Sequence, residues 1–425
     1  MLLAILGTFI TNVLLGLPLF ICLIVAAIIG FTFVDISLLS RMLPQQVFSG
    51  IDVFSLMAIP LFILAGNLMN GSGLTPQLIR LANSIVGHLR GGLGYVNVVS
   101  SVFFAGVNGS AVADTSALGS LLVPPMKKEG YAASYAAGLT AGSSLIGPII
   151  PPSIFMILYA SLTNTSVGDL FLAGVVPGLV LGLAFMVMNW FYARKANIAP
   201  QHERASIQRI LISFIHASPA LIAPFIIVAG IVFGFVTPTE SGALIVAYAF
   251  AVGFISRNLT LKAAWQAVAE TALLSGAIFL IIAASAVVSW LLAYAQVPEH
   301  FAIFLQPFVD NPITILLLLS LITFGVGMLM EEVSALMLLT PVFLPVALQA
   351  GIDPVHLGIV ITMNITIALI TPPMGACVFV AAAVSKLDIT VMFKAIWPFV
   401  LVALMALLVI ILFPSLTLFL PRLFQ

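Results

Sequence analysis

The stretch SSLIGPIIPPS, Ser143 to Ser153, gathers one Gly, three Pro and three Ser inside a long apolar run. A proline removes a backbone N–H donor and displaces the carbonyl one turn earlier, so Gly-Pro followed by Pro-Pro releases several carbonyl oxygens together. Clustered carbonyl and hydroxyl oxygens suit a hard cation such as sodium. The half-helix beginning after such a break offers its positive end to an anion. A second stretch of this type, NITIALITPPM, runs from Asn364 to Met374. Two further segments, GVNGSAVADTSALG (Gly106 to Gly119) and GVGMLMEEVSALMLLTP (Gly325 to Pro341), carry polar residues in the middle of apolar runs. Asp114, Glu331 and Glu332 are carboxylates there, costly in lipid unless paired, hydrated or functional. Asn108, Ser110, Thr115 and Ser116 are either helix-packing groups or direct ligands. One proline kink needs no ligand. The recurrence of Pro-Pro after a polar-tipped segment favours a site.

These residues need a scaffold, and composition says what kind. The chain has 425 residues, 62% hydrophobic and 7% charged, which is far from the balance of soluble domains and reads as an all-α polytopic membrane protein. Net charge is zero, so nothing points to nucleic acid. The opening MLLAILGTFITNVLLGLPLF has no Lys or Arg before Arg41 and reads as retained helices rather than a cleavable signal. Crossing a bilayer takes roughly 20 apolar residues. Such runs fall at about 2–15, 18–35, 51–70, 138–162, 169–193, 212–236, 238–256, 266–295, 356–384 and 390–418. The runs at about 93–127 and 311–350 have polar centres and halves too short to cross, so they read as re-entrant hairpins that enter and leave by one face. With the loop from Arg194 to Arg209 cytoplasmic, this count places twelve Lys and Arg inside and leaves only Arg41 and Arg422 outside. Both termini are then expected on the periplasmic side.

Sliding the sequence along itself by 221 positions pairs Gly106 with Gly327, Pro124 with Pro345, Gly130 with Gly351, Pro151 and Pro152 with Pro372 and Pro373, and Pro177 with Pro398. Six Gly and Pro matches in one register indicate an internal duplication. An odd number of crossings between equivalent points makes the halves inverted. The expected division is 1–210, with a hairpin at about 93–127 and a broken helix at about 138–162, and 211–425, with a hairpin at about 311–350 and a broken helix at about 356–384. Inverted repeats with a broken helix in each half point to a transporter site at the bilayer midplane. The other classes fare worse. A channel needs a continuous polar face along several helices. The five histidines, His88, His202, His216, His300 and His356, form no ligand pair and no H-E-x-x-H, which argues against a membrane protease. No G-x-x-x-x-G-K-[ST] loop is present to hydrolyse nucleotide, and Cys22 and Cys377 have no metal spacing.

IPLFILAGNLMNGSGL (Ile59 to Leu74), GHLRGGLGYVNVVSSVFFAGVNGSAVADTSALGSLLVPPMKKEGY (Gly87 to Tyr131), SSLIGPIIPPSIFMILY and GFVTPTESGALIVAYA (Gly234 to Ala249) resemble the large membrane subunit of the tripartite ATP-independent periplasmic (TRAP) transporters, over essentially the whole chain. The resemblance implies an elevator-type secondary transporter in the bacterial inner membrane, driven by a sodium gradient. It also implies a small membrane subunit and a soluble periplasmic binding protein as partners. Organic acids are the substrates, C4-dicarboxylates for some relatives and sialic acid for others. The alternative is a sodium-coupled carboxylate transporter of similar design that needs no binding protein. Carried over residue by residue, the resemblance suggests a first sodium site where Asn108, Gly109 and Ser110 face the carbonyls of Gly147, Ile150 and Pro152. In a second, Gly327 and Met330 face Ala368, Thr371 and Pro373. Ser110, Ser144, Asn364 and Thr371 are the substrate candidates. Ala368 stands where the second break is expected to carry Gly, and Glu331 where many relatives carry Asp. An amphipathic arm, Thr75 to Arg90, with Leu78, Leu81, Ala82, Ile85 and Leu89 on one side, would brace a moving core against a static frame, as would its mate Val297 to Phe308.

Overall fold

The structure, a computed structural model, describes residues 1–200 and 203–424, except the side chains of Leu2 and Asn108. His202 therefore lies outside the described residues. Among the described residues the chain is helical, without strands. Seven helices there are long and apolar enough to cross a membrane, among them Val167–Lys195, Ile207–Val232, Pro238–Ile255 and Leu261–Tyr294. Large apolar side chains such as Phe191, Phe225, Trp265 and Leu273 stand exposed on them, the surface that lipid or an apolar partner helix would cover.

Both polar-centred segments fold as helical hairpins. The first pairs Gly92–Asn108 with Ala111–Lys128. Gly109 turns the chain at φ 59°, and the Ser110 hydroxyl accepts the Ala113 N–H at 3.4 Å. The second pairs Pro312–Gly327 with Glu332–Gln349. There the Glu331 carboxylate accepts the Ser334 N–H at 3.0 Å and the Ser334 hydroxyl at 3.3 Å. Each return helix has 18 residues, and both ends, the capping residue and the capped N–H all correspond at the 221-residue offset. The base of the first hairpin is pinned from outside. Asn189 donates to the Gly91 carbonyl at 3.1 Å, and the Gly94 N–H donates to the Tyr131 hydroxyl at 3.1 Å. A Cβ at Gly94 would collide with the Asn189 amide, which is why glycine stands there.

Each Pro-Pro stretch interrupts a helix. The first broken helix is Ala133–Ser144 and Ile154–Thr163; the second is Pro354–Ala368 and Ala376–Ser385. Both Pro-Pro bonds, Pro151–Pro152 and Pro372–Pro373, are cis. The outgoing half of each packs on the other hairpin: Ala376–Ser385 on Ala111–Lys128, and Ile154–Thr163 on Glu332–Gln349. This exchange ties hairpins and broken helices into one core.

Three elements differ from the sequence expectation. The span expected at 390–418 is found at Ile389–Leu412, with a step at Ile396, and its last residues form a separate helix, Ser415–Phe424. Pro398 stands in the first turn of Trp397–Leu412, where its missing N–H costs nothing, and Pro414 holds Phe413 out of helical geometry at φ −125°. The arm helix ends at Val86 rather than Arg90, burying Leu78, Leu81, Ala82 and Ser84 while Ile85 and Leu89 remain 39% exposed. Its mate is Val297–Leu305 followed by a 3-10 turn through Phe308.

Candidate functional site

At the first break the hairpin tip meets the interrupted backbone. A Cβ on Gly109 would lie 2.5 Å from the Pro152 carbonyl oxygen. One on Gly147 would lie 2.8 Å from Asp114 Oδ2, 3.2 Å from the Ser144 carbonyl oxygen and 3.6 Å from the carbonyl carbon of Ser110. The structure thus brings Gly109, Ser110, Gly147 and Pro152 together and adds Asp114, wholly buried one turn beyond Ser110. Asn108 supplies the last residue of its helix. The Ile150 side chain packs on Gly178 and its N–H donates to the Ile146 carbonyl at 3.0 Å, leaving its own carbonyl as the group able to serve a ligand. A buried, oxygen-only donor set with one carboxylate fits a hard monovalent or divalent cation.

At the second break a Cβ on Gly327 would lie 2.9 Å from the Ala368 methyl, so these two residues meet through the side chain rather than the carbonyl. The Met330 side chain turns away into an apolar cavity shared with Ile5, Phe9 and Leu23, so its backbone is what it can offer the break. The Thr371 hydroxyl donates to the Ile367 carbonyl at 2.9 Å. Pro373 is exposed, and Met374 beside it is 46% exposed.

Between the two tips lies a cavity of about 150 Å³. Gly109 and Ser110 line it from one tip and Glu331 and Glu332 from the other, Pro148 and Leu369 from the two breaks, and Asn67 from the surrounding helices. Ser110 is the substrate candidate it contains. Ser144, Asn364 and Thr371 are not among its lining residues; the Ser144 and Thr371 hydroxyls and the Asn364 NH2 are bonded elsewhere, while the buried Asn364 Oδ1 has no protein partner. Ser144 donates to the Thr140 carbonyl at 2.7 Å, and Asn364 donates to Ser320 Oγ at 3.0 Å and the Val360 carbonyl at 2.9 Å. Ser143, the offset partner of Asn364, makes the matching bridge in the first half, to Asn97 Oδ1 at 3.2 Å and with Ser101 at 2.9 Å. Sequence reasoning missed Asn67, which donates to Thr271 Oγ1 at 3.1 Å. Its signal was a mid-span amide within IPLFILAGNLMNGSGL. Among the described residues no group of three His, Cys, Asp or Glu forms a transition-metal site.

Hairpins and interrupted helices converging on a central cavity, framed by membrane-length helices, define a class of multi-pass transporter, and solved structures share the fold. The Alcanivorax borkumensis YdaH transporter superposes with a TM-score of 0.64 at 14% identity, covering 90% of this chain and 89% of that one. Neisseria gonorrhoeae MtrF gives 0.60 at 14% identity, covering 95% and 94%. Residues 6–416 match the family described as tripartite ATP-independent periplasmic transporter, DctM component, and the chain belongs to that family. The sialic acid TRAP transporter large permease SiaM of Vibrio cholerae is 38% identical over 381 residues, 89% of each chain. The 2,3-diketo-L-gulonate permease YiaN of Escherichia coli is 38% identical over 377 residues, 88% of each. The C4-dicarboxylate permease DctM of Pseudomonas aeruginosa is 36% identical over 383 residues, 90% of each. The chain is therefore a transporter component rather than an enzyme, the large inner-membrane permease that works with a small membrane subunit and a periplasmic binding protein.

Proposed function

We propose that this chain carries out sodium-coupled uptake of an organic acid, of the sialic acid, sugar-acid or C4-dicarboxylate class, received from the binding protein and moved by an elevator displacement of the core. The observation that carries this reading is a cavity lined by both hairpin tips and both helix breaks. In the proposal one sodium is held by the Asn108–Ser110 tip with the carbonyls of Gly147, Ile150 and Pro152, beside the Asp114 carboxylate. A second is held by Gly327 and Met330 with Ala368, Thr371 and Pro373. The acid sits between the tips near Ser110 and Asn67, where hydroxyl and amide donors can bind a carboxylate. Glu331 and Glu332 face the same cavity, and bound cations offset their repulsion of an anion. A cation bound beside these carboxyls would favour occupancy by the acid, which is the proposed basis of coupling. The halves 1–210 and 211–425 act as inverted repeats, with both termini periplasmic and the Lys- and Arg-rich loops inside.

The test is uptake into liposomes holding this chain and its small subunit. Saturable uptake is expected only with an inward sodium gradient and added binding protein, without ATP. Uptake independent of sodium would overturn the coupling, and full uptake without binding protein would favour direct capture. Cysteines placed at Lys127 and at Gly351 should label from opposite sides of the membrane; labelling of both from one side would rule out the inversion.

A further inference from the structure

Far from the central cavity, a cleft of about 480 Å³ opens between the arm helix Thr75–Val86 and the segment that leads into Ile207–Val232. Its volume falls within the range of about 300–1,000 Å³ typical of ligand pockets. Arg80 lines it from the arm, with Arg204 and Arg209 from the other side, against one carboxylate, Glu203. The cleft is thus cationic and shares no lining residue with the central cavity. Ser206 also lines it and caps the 26-residue helix, accepting the Arg209 N–H at 3.3 Å, so the positive end of that helix opens here. Arginines lining one cleft from two segments are suited to bidentate recognition of a phosphate.

We propose that this cleft binds the headgroup of an anionic phospholipid, which ties the arm helix to the segment joining the two halves of the chain. A lipid fits better than a free anion because of what flanks the arginines. Ile207, Leu211, Ile212, Phe214 and Ile215 stand exposed along the first turns of the helix that starts at the cleft, with Ile207 85% exposed. Ile85 at the end of the arm and Leu89 just after it are exposed as well. A phosphate among the arginines therefore has an apolar surface next to it on which its own acyl chains can lie, a contact that a soluble phosphate cannot make. The lipid would hold the arm at the interface while the core moves, without entering the transport path.

The experiment measures phosphatidylglycerol binding to the detergent-purified full chain. Phosphatidylcholine and inorganic phosphate serve as comparisons, and Arg80→Gln, Arg204→Gln, Arg209→Gln and the triple variant are tested beside the unaltered protein. Phosphatidylglycerol is expected to bind in preference to phosphatidylcholine and to weaken about fivefold for each arginine removed, the loss that goes with one basic side chain at a charged interface. High salt should reduce the preference. Arg204→Gln lies on an exposed segment outside regular helix, so it reports even if the triple variant does not fold. Unchanged phosphatidylglycerol affinity in the variants would overturn the proposal. Complete displacement by millimolar inorganic phosphate would assign the cleft to a soluble anion and overturn the lipid reading.

Discussion

The two helix breaks share a sequence pattern and an offset but not an environment. Pro151, Pro152 and Ser153 are buried, and the Gly109 turn sits directly on the Pro152 carbonyl. Pro373 and Met374 are exposed, and the second hairpin touches its break at Gly327 and Ala368, which precede the offset counterparts of Gly109 and Pro152 by three and five residues. The outgoing half-helices differ in the same sense: Ser153 caps the first through the Met156 N–H at 3.4 Å, whereas the second begins at Gly375 with no side-chain cap. The comparison teaches that a duplicated motif can set up two sites of unequal closure, one sealed by backbone contact and one covered by side chains. In a transporter, such inequality gives the two sites different access to solution.

The sharpest test of this contrast is steric. At Gly109 an added Cβ meets a backbone carbonyl, in a left-handed conformation that costs a side chain about 1–2 kcal/mol. Gly109→Val should reduce uptake at matched protein levels by tenfold or more, with no side-chain change able to restore it. Gly327→Ala should also impair uptake, through overpacking worth about 1–3 kcal/mol. There the obstacle is only the Ala368 methyl, so Gly327→Ala with Ala368→Gly should recover activity. Rescue at Gly109 by a neighbouring side chain, or failure of the Gly327 and Ala368 exchange, would break the distinction.

Next in size is the sodium dependence. Ser110→Ala removes a hydroxyl at the sealed break, and an unmet buried partner costs about 1–3 kcal/mol, a shift of about tenfold to a hundredfold in the sodium needed for half-maximal uptake. A variant that merely packs worse would lower the amount of folded protein and leave that concentration unchanged, which would move the cation elsewhere. Access is a smaller, conformation-dependent effect. In the state described here, Met374→Cys should react with a water-soluble maleimide while Ser153→Cys stays unmodified. Equal reactivity would mean that both breaks open alike.

Much of this was legible beforehand, for identifiable physical reasons. Polar residues in the middle of an apolar run are expensive in lipid, so Asn108 to Ser116 and Glu331 to Ser334 marked the hairpins before any coordinates. The Gly and Pro register marked both breaks, because those residue types are selected by backbone geometry rather than by hydrophobicity. What escaped was packing. Nothing in the periodicity distinguishes Ser110, which faces the cavity, from Ser144 and Thr371, which bond back to their own helices. Hydropathy also cannot see that Leu261–Tyr294 runs unbroken while its offset counterpart is divided into Leu39–Ile51, a 3-10 turn and Ala58–Gly71. Leu39–Ile51 carries Arg41, Pro44, Gln45 and Gln46, so hydropathy marks only the part from about 51 as a span and gives no sign that the polar part before it is helical too.

The smallest expected effect concerns the helices that follow the two breaks. Val167–Lys195 begins at Ser166, whose neutral hydroxyl accepts the Asp169 N–H at 3.2 Å. Ile389–Ala395 begins at Asp388, whose carboxylate accepts the Thr390 N–H at 2.8 Å and the Thr390 hydroxyl at 2.6 Å. These bonds, the side-chain one foremost, hold the Asp388 carboxyl below the usual carboxylate range. A group whose folded pKa is depressed contributes its stability above the unfolded value, about 3.9 for aspartate, and loses it as the pH falls through the lower folded value. The Asp388 cap should therefore be fully effective at neutral pH and fade only under acid, whereas the Ser166 cap should not titrate at all. Thermal unfolding of the purified protein can be compared with Asp388→Asn, which keeps a capping oxygen without the charge, and with Ser166→Ala. The gap to Asp388→Asn should close as the pH drops below about 4, while the gap to Ser166→Ala should stay level. A gap to Asp388→Asn that is constant from neutral to acid pH would show that its charge contributes nothing and that the two helix starts are equivalent after all.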